Sequence, residues 1–192
     1  MQKIIIGSDE VLKGDSFGGI VVAAVKADEK IREQLTLMHI TDSKKISDRL
    51  IPVLTSRIKK IAPYSIRNLL PDDYNRLTKT NTVTVLLNQL HKEVKEDLGV
   101  GYHIVDKYPG CNVGDLMIEK AESKYIEVAA ASIIARDEGL KQISFLSKKI
   151  GFEVPKGSTH VKEALIRLKE SKKNPEFFVK MNFKNVIAIL NN

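Results

Sequence analysis

A chain of 192 residues holds one substantial domain, and its 43% hydrophobic and 29% charged residues exclude a disordered polymer. The one cysteine, Cys111, excludes an internal disulfide and a cysteine-built zinc site. A formal net charge of +7 and a pI near 9.3 favour an anionic partner, and no apolar run has the length of a membrane span.

In chain order, residues 3–8 are a continuous apolar run, the pattern of a buried strand. Residues 18–26 read as a second strand, rich in Val and Ile, and the short turn between the two predicts antiparallel pairing. Ser47 is placed to cap a helix whose face carries Leu50, Ile51, Leu54, Ile58 and Ile61. A strand over 63–70 follows, then a helix over 82–98 with Val83, Leu86, Leu87, Leu90 and Val94 on one side. Tyr102–Asp106 is a short strand ending in an acid, and 126–147 is the longest helical pattern, with a run of small residues at Ala129-Ala130-Ala131. Gly151 and Pro155 interrupt the chain, and helices are predicted near 158–171 and over 174–190, the latter started by Pro175. No repeat or linker parts the sequence. The expected fold class is α/β: a mixed β-sheet flanked by α-helices. It forms one domain over 1–192 whose part from about 150 to 192 is a helical extension. The amino terminus, with only three isoleucines after Met1-Gln2-Lys3, is too short for a signal-peptide core, so a reducing, cytoplasmic location is expected.

The chemistry concentrates at element ends. Asp9 and Glu10 follow directly on the first strand, Asp106 closes Tyr102–Val105, and Glu122 precedes the Ala-rich helix. Most acids are solvated, but Asp9 and Asp106 each abut an apolar strand. If those strands are neighbours, their carboxylates meet, repel one another, and attract a hard divalent cation. Mg²⁺ or Mn²⁺ suits an all-oxygen set. Two such ions about 4 Å apart activate a water and stabilise the leaving oxygen of a phosphodiester. Since strand residues alternate, Asp9 and Glu10 serve one site only if the chain leaves strand geometry there. Two further segments suit phosphate: Asp42-Ser43-Lys44-Lys45 beside a helix start, and Pro155-Lys156-Gly157-Ser158 with His160 behind it. Each also reads as an ordinary solvated helix start, and His160 as a structural histidine.

In this order the segments resemble the type 2 ribonuclease H superfamily, nearest its ribonuclease HIII branch. The resemblance rests on Asp9-Glu10-Val11, Asp42-Ser43-Lys44-Lys45, Leu70 to Leu77, Leu86 to His91, Lys120-Ala121-Glu122, Val128 to Arg136, Pro155-Lys156-Gly157 and His160-Val161. It covers nearly the whole chain. It implies a ribonuclease-H-like fold and a metal-dependent endonuclease that cuts the RNA strand of RNA–DNA hybrids, leaving 5′-phosphate and 3′-hydroxyl ends. Asp9, Glu10, Asp106 and Glu122 would be the catalytic, metal-holding carboxylates, with Mg²⁺ or Mn²⁺ in a two-ion site. A glutamate as fourth acid marks the HIII branch. Leu12, Lys13, Gly14, Ser43, Lys44, Lys45, Lys156, Gly157 and Ser158 would bind substrate, with Lys44 and Lys156 near the scissile phosphate. The partner is then the hybrid, with no membrane and no obligate protein partner evident.

Two positions depart from the family pattern. Leu12 stands for the first glycine of a Gly-X-Gly triplet whose backbone reads the RNA 2′-hydroxyl, and Gly19 stands where the branch usually has proline. Leu does not easily adopt the backbone open to Gly, and its side chain is expected to crowd the minor groove. The alternative function is therefore a weakened module that binds hybrid or duplex without cutting it. The amino-terminal substrate-binding domain typical of the HIII branch has no counterpart in these 192 residues.

Overall fold

The computed structural model describes residues 4–40 and 46–190. The predicted phosphate contacts Ser43, Lys44 and Lys45 lie outside the described residues. In chain order the elements are β1 (Ile5–Val11), β2 (Ile20–Ala27), α1 (Glu29–Leu37), α2 (Ile51–Ile61), β3 (Tyr64–Leu69), α3 (Pro71–Leu77), α4 (Val83–Leu98), β4 (Tyr102–Asp106), β5 (Leu116–Ile118), α5 (Ile126–Ile150), α6 (Lys162–Glu170) and α7 (Lys184–Leu190). Among the described residues, no helix is long and apolar enough to cross a membrane.

The chain forms two compact units. The first takes Met1–Glu10, Val22–Arg67 and Thr82–Asp137, and the second takes Val11–Val21, Asn68–Asn81 and Glu138–Asn192. A mixed five-stranded sheet in the order β3-β2-β1-β4-β5 organises the first unit. β1, β4 and β5 are parallel, with Ser8 opposite Val105 and Asp106 opposite Ile118. Ile5, Ile104, Ala121 and Val128 form one core cluster of this unit. Gly7 lets α5 lie against the sheet, because a Cβ there would overlap the backbone of Glu127 and Val128. α1 joins the same layer through a 2.7 Å ion pair from Arg32 to the buried Glu127.

In the second unit, Asn75 on α3 ties the carboxy-terminal segment. Its amide donates to the carbonyls of Glu176 and Val179, and its Oδ1 accepts the N–H of Met181. Phe17 and Val179 make an antiparallel bridge.

Three expectations are corrected here. The helix expected from Ser47 begins at Ile51 with Pro52 in its first turn, where the missing N–H costs nothing. Leu50 is left 54% exposed instead of on the buried face. The expected helix over 174–190 is a short 3-10 turn at Pro175–Phe177, a non-helical segment buried at 178–180, and then α7. Burial of Phe178, Val179 and Lys180 wins over helix propensity. The helices α1 and α3 and the strand β5 were not foreseen. Asp28 caps α1 by accepting the N–H of Ile31.

Candidate active site

Alternation along β1 builds the site. Gly7 and Asp9 face α5, where the side chain of Ser132 hydrogen-bonds the Asp9 carboxyl. Ser8 and Glu10 face α4. Ser8 Oγ lies 2.8 Å from Nδ1 of His91, and Glu10 Oε2 lies 3.4 Å from the Nε2 of the same ring. The condition set by alternation, that the chain leave strand geometry for Asp9 and Glu10 to face one way, is not met: the strand runs regularly through Val11, and the two carboxylates straddle its end.

Their charges nonetheless act on one another. Burial first, then the Glu10 carboxylate and, more weakly, Asp106 push Asp9 from 3.8 up to about 8. The hydrogen bond with Ser132 and one from the Glu10 N–H, at 2.7 Å from Oδ1, oppose the rise.

Asp106 ends β4, the parallel neighbour of β1. Ser8 pairs with Val105, so Asp9 and Asp106 occupy the next step at the carboxyl ends of adjacent strands. Oδ1 of Asp106 accepts the backbone N–H of Ala121 at 2.9 Å. That bond fixes the 3-10 turn Ala121–Ser123, which Lys120 enters in a left-handed conformation (φ 56°), and Glu122 is the next residue. Oε2 of Glu122 is buried, and no hydrogen bond reaches it among the described residues.

An all-carboxylate donor set with an orphaned buried oxygen and a carboxyl driven toward its neutral form fits a missing positive charge. Among the described residues, no three His, Cys, Asp or Glu side chains already converge closely enough to hold an ion.

Behind Glu10 lies a buried polar chain. Ser8 Oγ is 2.8 Å from both His91 Nδ1 and His103 Nε2. A hydroxyl has one proton, so one ring offers Ser8 an N–H and the other a lone pair. Burial, reinforced by His91, pulls His103 from 6.5 down to about 4, which makes its ring neutral at pH 7. Tyr108 stacks on His91 with centroids 5.4 Å apart.

The second unit brings two of the predicted substrate segments together. The N–H of Ser16 donates to the Gly157 carbonyl at 3.0 Å, and the N–H of Gly157 donates to Asp15 Oδ1 at 2.6 Å. The amide of Asn185 donates to Ser16 Oγ and to the Ser158 carbonyl, each at 2.8 Å. Asp15 and Ser16, directly after Leu12-Lys13-Gly14, are thus tied to the Lys156-Gly157-Ser158 segment. Gly14, Lys156 and Ser158 are exposed, and a Cβ at Gly14 or Gly157 would meet open space. His160 is exposed on the segment that follows.

The family model described as Ribonuclease HII matches residues 6–186. The chain belongs to the ribonuclease HII family. Ribonuclease HIII of Aquifex aeolicus is 33% identical over 190 residues, covering 95% of this chain and 72% of that protein. Ribonuclease HIII of Ureaplasma parvum is 33% identical over 182 residues, covering 82% of this chain and 57% of its own length. Among solved structures, Bst-RNase HIII in complex with Mn²⁺ superposes with a TM-score of 0.87 at 29% identity, over 99% of this chain and 70% of that one. The RNase HII of the PCNA complex from Archaeoglobus fulgidus gives 0.84 at 27% identity, over 96% of both chains. The HIII resemblance read from the motifs is borne out, as is the fold.

Within the ribonuclease HII family pattern, both departures have structural answers. Leu12 does adopt the left-handed conformation (φ 67°), against expectation, and its side chain is 6% exposed, turned inward toward Gly18 and Gly139. The Leu12 side chain is thus directed into the protein rather than onto its surface. Gly19 donates its N–H to Gln142 Oε1 at 2.7 Å, a bond proline lacks, and a Cβ there would overlap the Leu69 carbonyl. Sequence reading singled out neither the buried Ser8, His91 and His103 chain behind Glu10 nor the buried Lys180. Two histidines on apolar faces and a lysine between buried residues were the available signals.

Proposed function

We propose that this chain is a metal-dependent ribonuclease H that hydrolyses the RNA strand of RNA–DNA hybrids, leaving 5′-phosphate and 3′-hydroxyl ends. The observation that carries the reading is the placement of Asp9 and Asp106 at the ends of adjacent parallel strands, with Glu10 charged against Asp9. Asp9, Glu10, Asp106 and Glu122 are the residues that would hold Mg²⁺ or Mn²⁺ as a two-ion site. The ions, when bound, supply an activated water and stabilise the departing 3′-oxygen. Membership in the ribonuclease HII family and the likeness to an RNase HIII solved with Mn²⁺ support this assignment.

The protein's own residues supply the rest. Asp106 is oriented by the Ala121 N–H, and Glu10 by the His91 ring. The turn at Leu12-Lys13-Gly14 presents backbone to the minor groove, where 2′-hydroxyls distinguish RNA from DNA. Lys13, Lys156 and the net positive charge neutralise phosphates. The test is incubation of labelled RNA–DNA hybrid, RNA duplex and DNA duplex with Mg²⁺ or Mn²⁺ and with EDTA. Cleavage of the hybrid's RNA strand alone, abolished by EDTA, is the expected result.

The binding-only alternative is not favoured: it rested on Leu12 failing to take a glycine's backbone and on its side chain crowding the groove, whereas Leu12 takes the left-handed conformation with its side chain buried.

A further inference from the structure

Lys180 is fully buried, yet nothing in the cleavage chemistry uses it. Its Nζ donates to three backbone carbonyls of one turn: Leu12 at 2.8 Å, Asp15 at 2.6 Å and Gly18 at 3.0 Å. The rings of Tyr74 and Phe183 each lie 5.3 Å from it. Three acceptors and two aromatic faces are the complement of an ammonium, which has three donors and a positive charge; a neutral amine has one donor too few.

The surroundings lock the cage in place. Lys180 N–H donates to the Ser16 carbonyl, so main chain and side chain grip the same turn. The Leu12 carbonyl also accepts the Asp15 N–H that closes that turn. Leu12 sits at φ 67°, a conformation that costs a non-glycine residue and persists only where its surroundings over-determine it. Lys180 and the burial of the Leu12 side chain supply that determination.

We propose that Lys180 is a positioning residue that presets the substrate-reading turn Leu12–Gly18 by clamping three of its carbonyls. In this chain the clamp does what the backbone freedom of a glycine does elsewhere. Through Asp15 and Ser16, which bond Gly157, it also sets the Lys156-Gly157-Ser158 loop. This inference rests on the proposed hybrid-cleaving function, whose failure would appear separately, as an unmodified chain that leaves hybrid intact.

The experiment compares two side chains of nearly equal length at this position. Lys180→Cys in a Cys111→Ser background is alkylated while unfolded, to the aminoethyl thioether or to the uncharged propyl thioether, and refolded. The aminoethyl form is expected to match the unmodified chain in hybrid KM. The propyl form is expected to show KM raised at least tenfold, kcat within threefold, and Mn²⁺ affinity at the carboxylates unchanged. A propyl form with unaltered KM, including one that loses only apparent kcat in proportion to lost folded protein, overturns the proposal. If the propyl form does not refold, the decision passes to ¹⁵N NMR of the Lys180 ammonium in the Asp106→Asn chain. Its protons should be protected from exchange, and more strongly when uncleaved hybrid is added. Protection indifferent to bound hybrid overturns the proposal.

Discussion

Nε2 of His91 lies 3.4 Å from Oε2 of Glu10, at the end of a buried chain that starts at His103 and passes through Ser8. A carboxylate that must meet a cation gains from a fixed neighbour, because every rotamer removed in advance is entropy not lost on binding. Ser8→Ala should therefore act twice. It strands two ring nitrogens in the core, at a cost of about 1–3 kcal/mol. It also loosens His91 behind Glu10, with about tenfold lower kcat on hybrid. Urea unfolding and single-turnover cleavage measure the two effects, and unchanged values for both would remove the network from the account.

Asp9 leads to a prediction about the metal-free protein. Its folded pKa is raised to about 8, so the folded state holds a proton that the unfolded chain has released by about pH 4. The favourable contribution is complete below the unfolded value and is lost as pH rises through about 8. Asp9→Asn should then stabilise the protein in EDTA at pH 8–9 by about 1–3 kcal/mol while abolishing cleavage. Thermal melts of both proteins across pH 5–9 test it; a destabilised Asp9→Asn chain at high pH would contradict the repulsion.

Much of this arrangement is legible in the sequence, for a physical reason. Ile4-Ile5-Ile6 and His103-Ile104-Val105 announce buried strands, and acids placed directly after them have few ordinary uses. Glu122 is legible from the residues only as an acid just before the Ala-rich helix, and its link to Asp106 is not, because a 3-10 turn held by Asp106 leaves no periodic pattern. The His91–Ser8–His103 chain is hidden because its members are far apart in the sequence. The carboxy-terminal segment misled for the same reason. A helical pattern over 174–190 gives way at Phe178–Lys180, where non-local hydrogen bonds and burial outweigh propensity.

His103 predicts an acid limit to stability. Its folded pKa, about 4, lies below the unfolded 6.5, so the unfolded chain takes up a proton first as pH falls. Its contribution is whole above pH 6.5 and is lost between 6.5 and 4, amounting to roughly 3 kcal/mol at most. His103→Gln should flatten that part of the pH–stability curve, although it lowers stability at pH 7. An equally steep acid limb in the variant would assign the sensitivity elsewhere.

Gly7 should tolerate no side chain. A Cβ there meets the backbone of Glu127 and Val128, and backbone cannot rotate away as a side chain can. Gly7→Ala is expected to cost about 2–3 kcal/mol by pushing α5 from β1. Since Ser132 on α5 bonds Asp9, the same shift should weaken Mn²⁺ binding. Denaturant melts and metal titration by calorimetry check both halves. Wild-type values for the variant would mean that α5 is free to move.

The central claim is that carboxylates from two neighbouring strands act as one metal-dependent hydrolytic site. Its most direct measurement is single-turnover cleavage of labelled RNA–DNA hybrid in Mn²⁺ by the Asp106→Asn chain, with circular dichroism confirming the fold. The account predicts a folded protein, hybrid binding retained, and cleavage reduced at least a thousandfold. Cleavage by the folded Asp106→Asn chain at near the unsubstituted rate would contradict it.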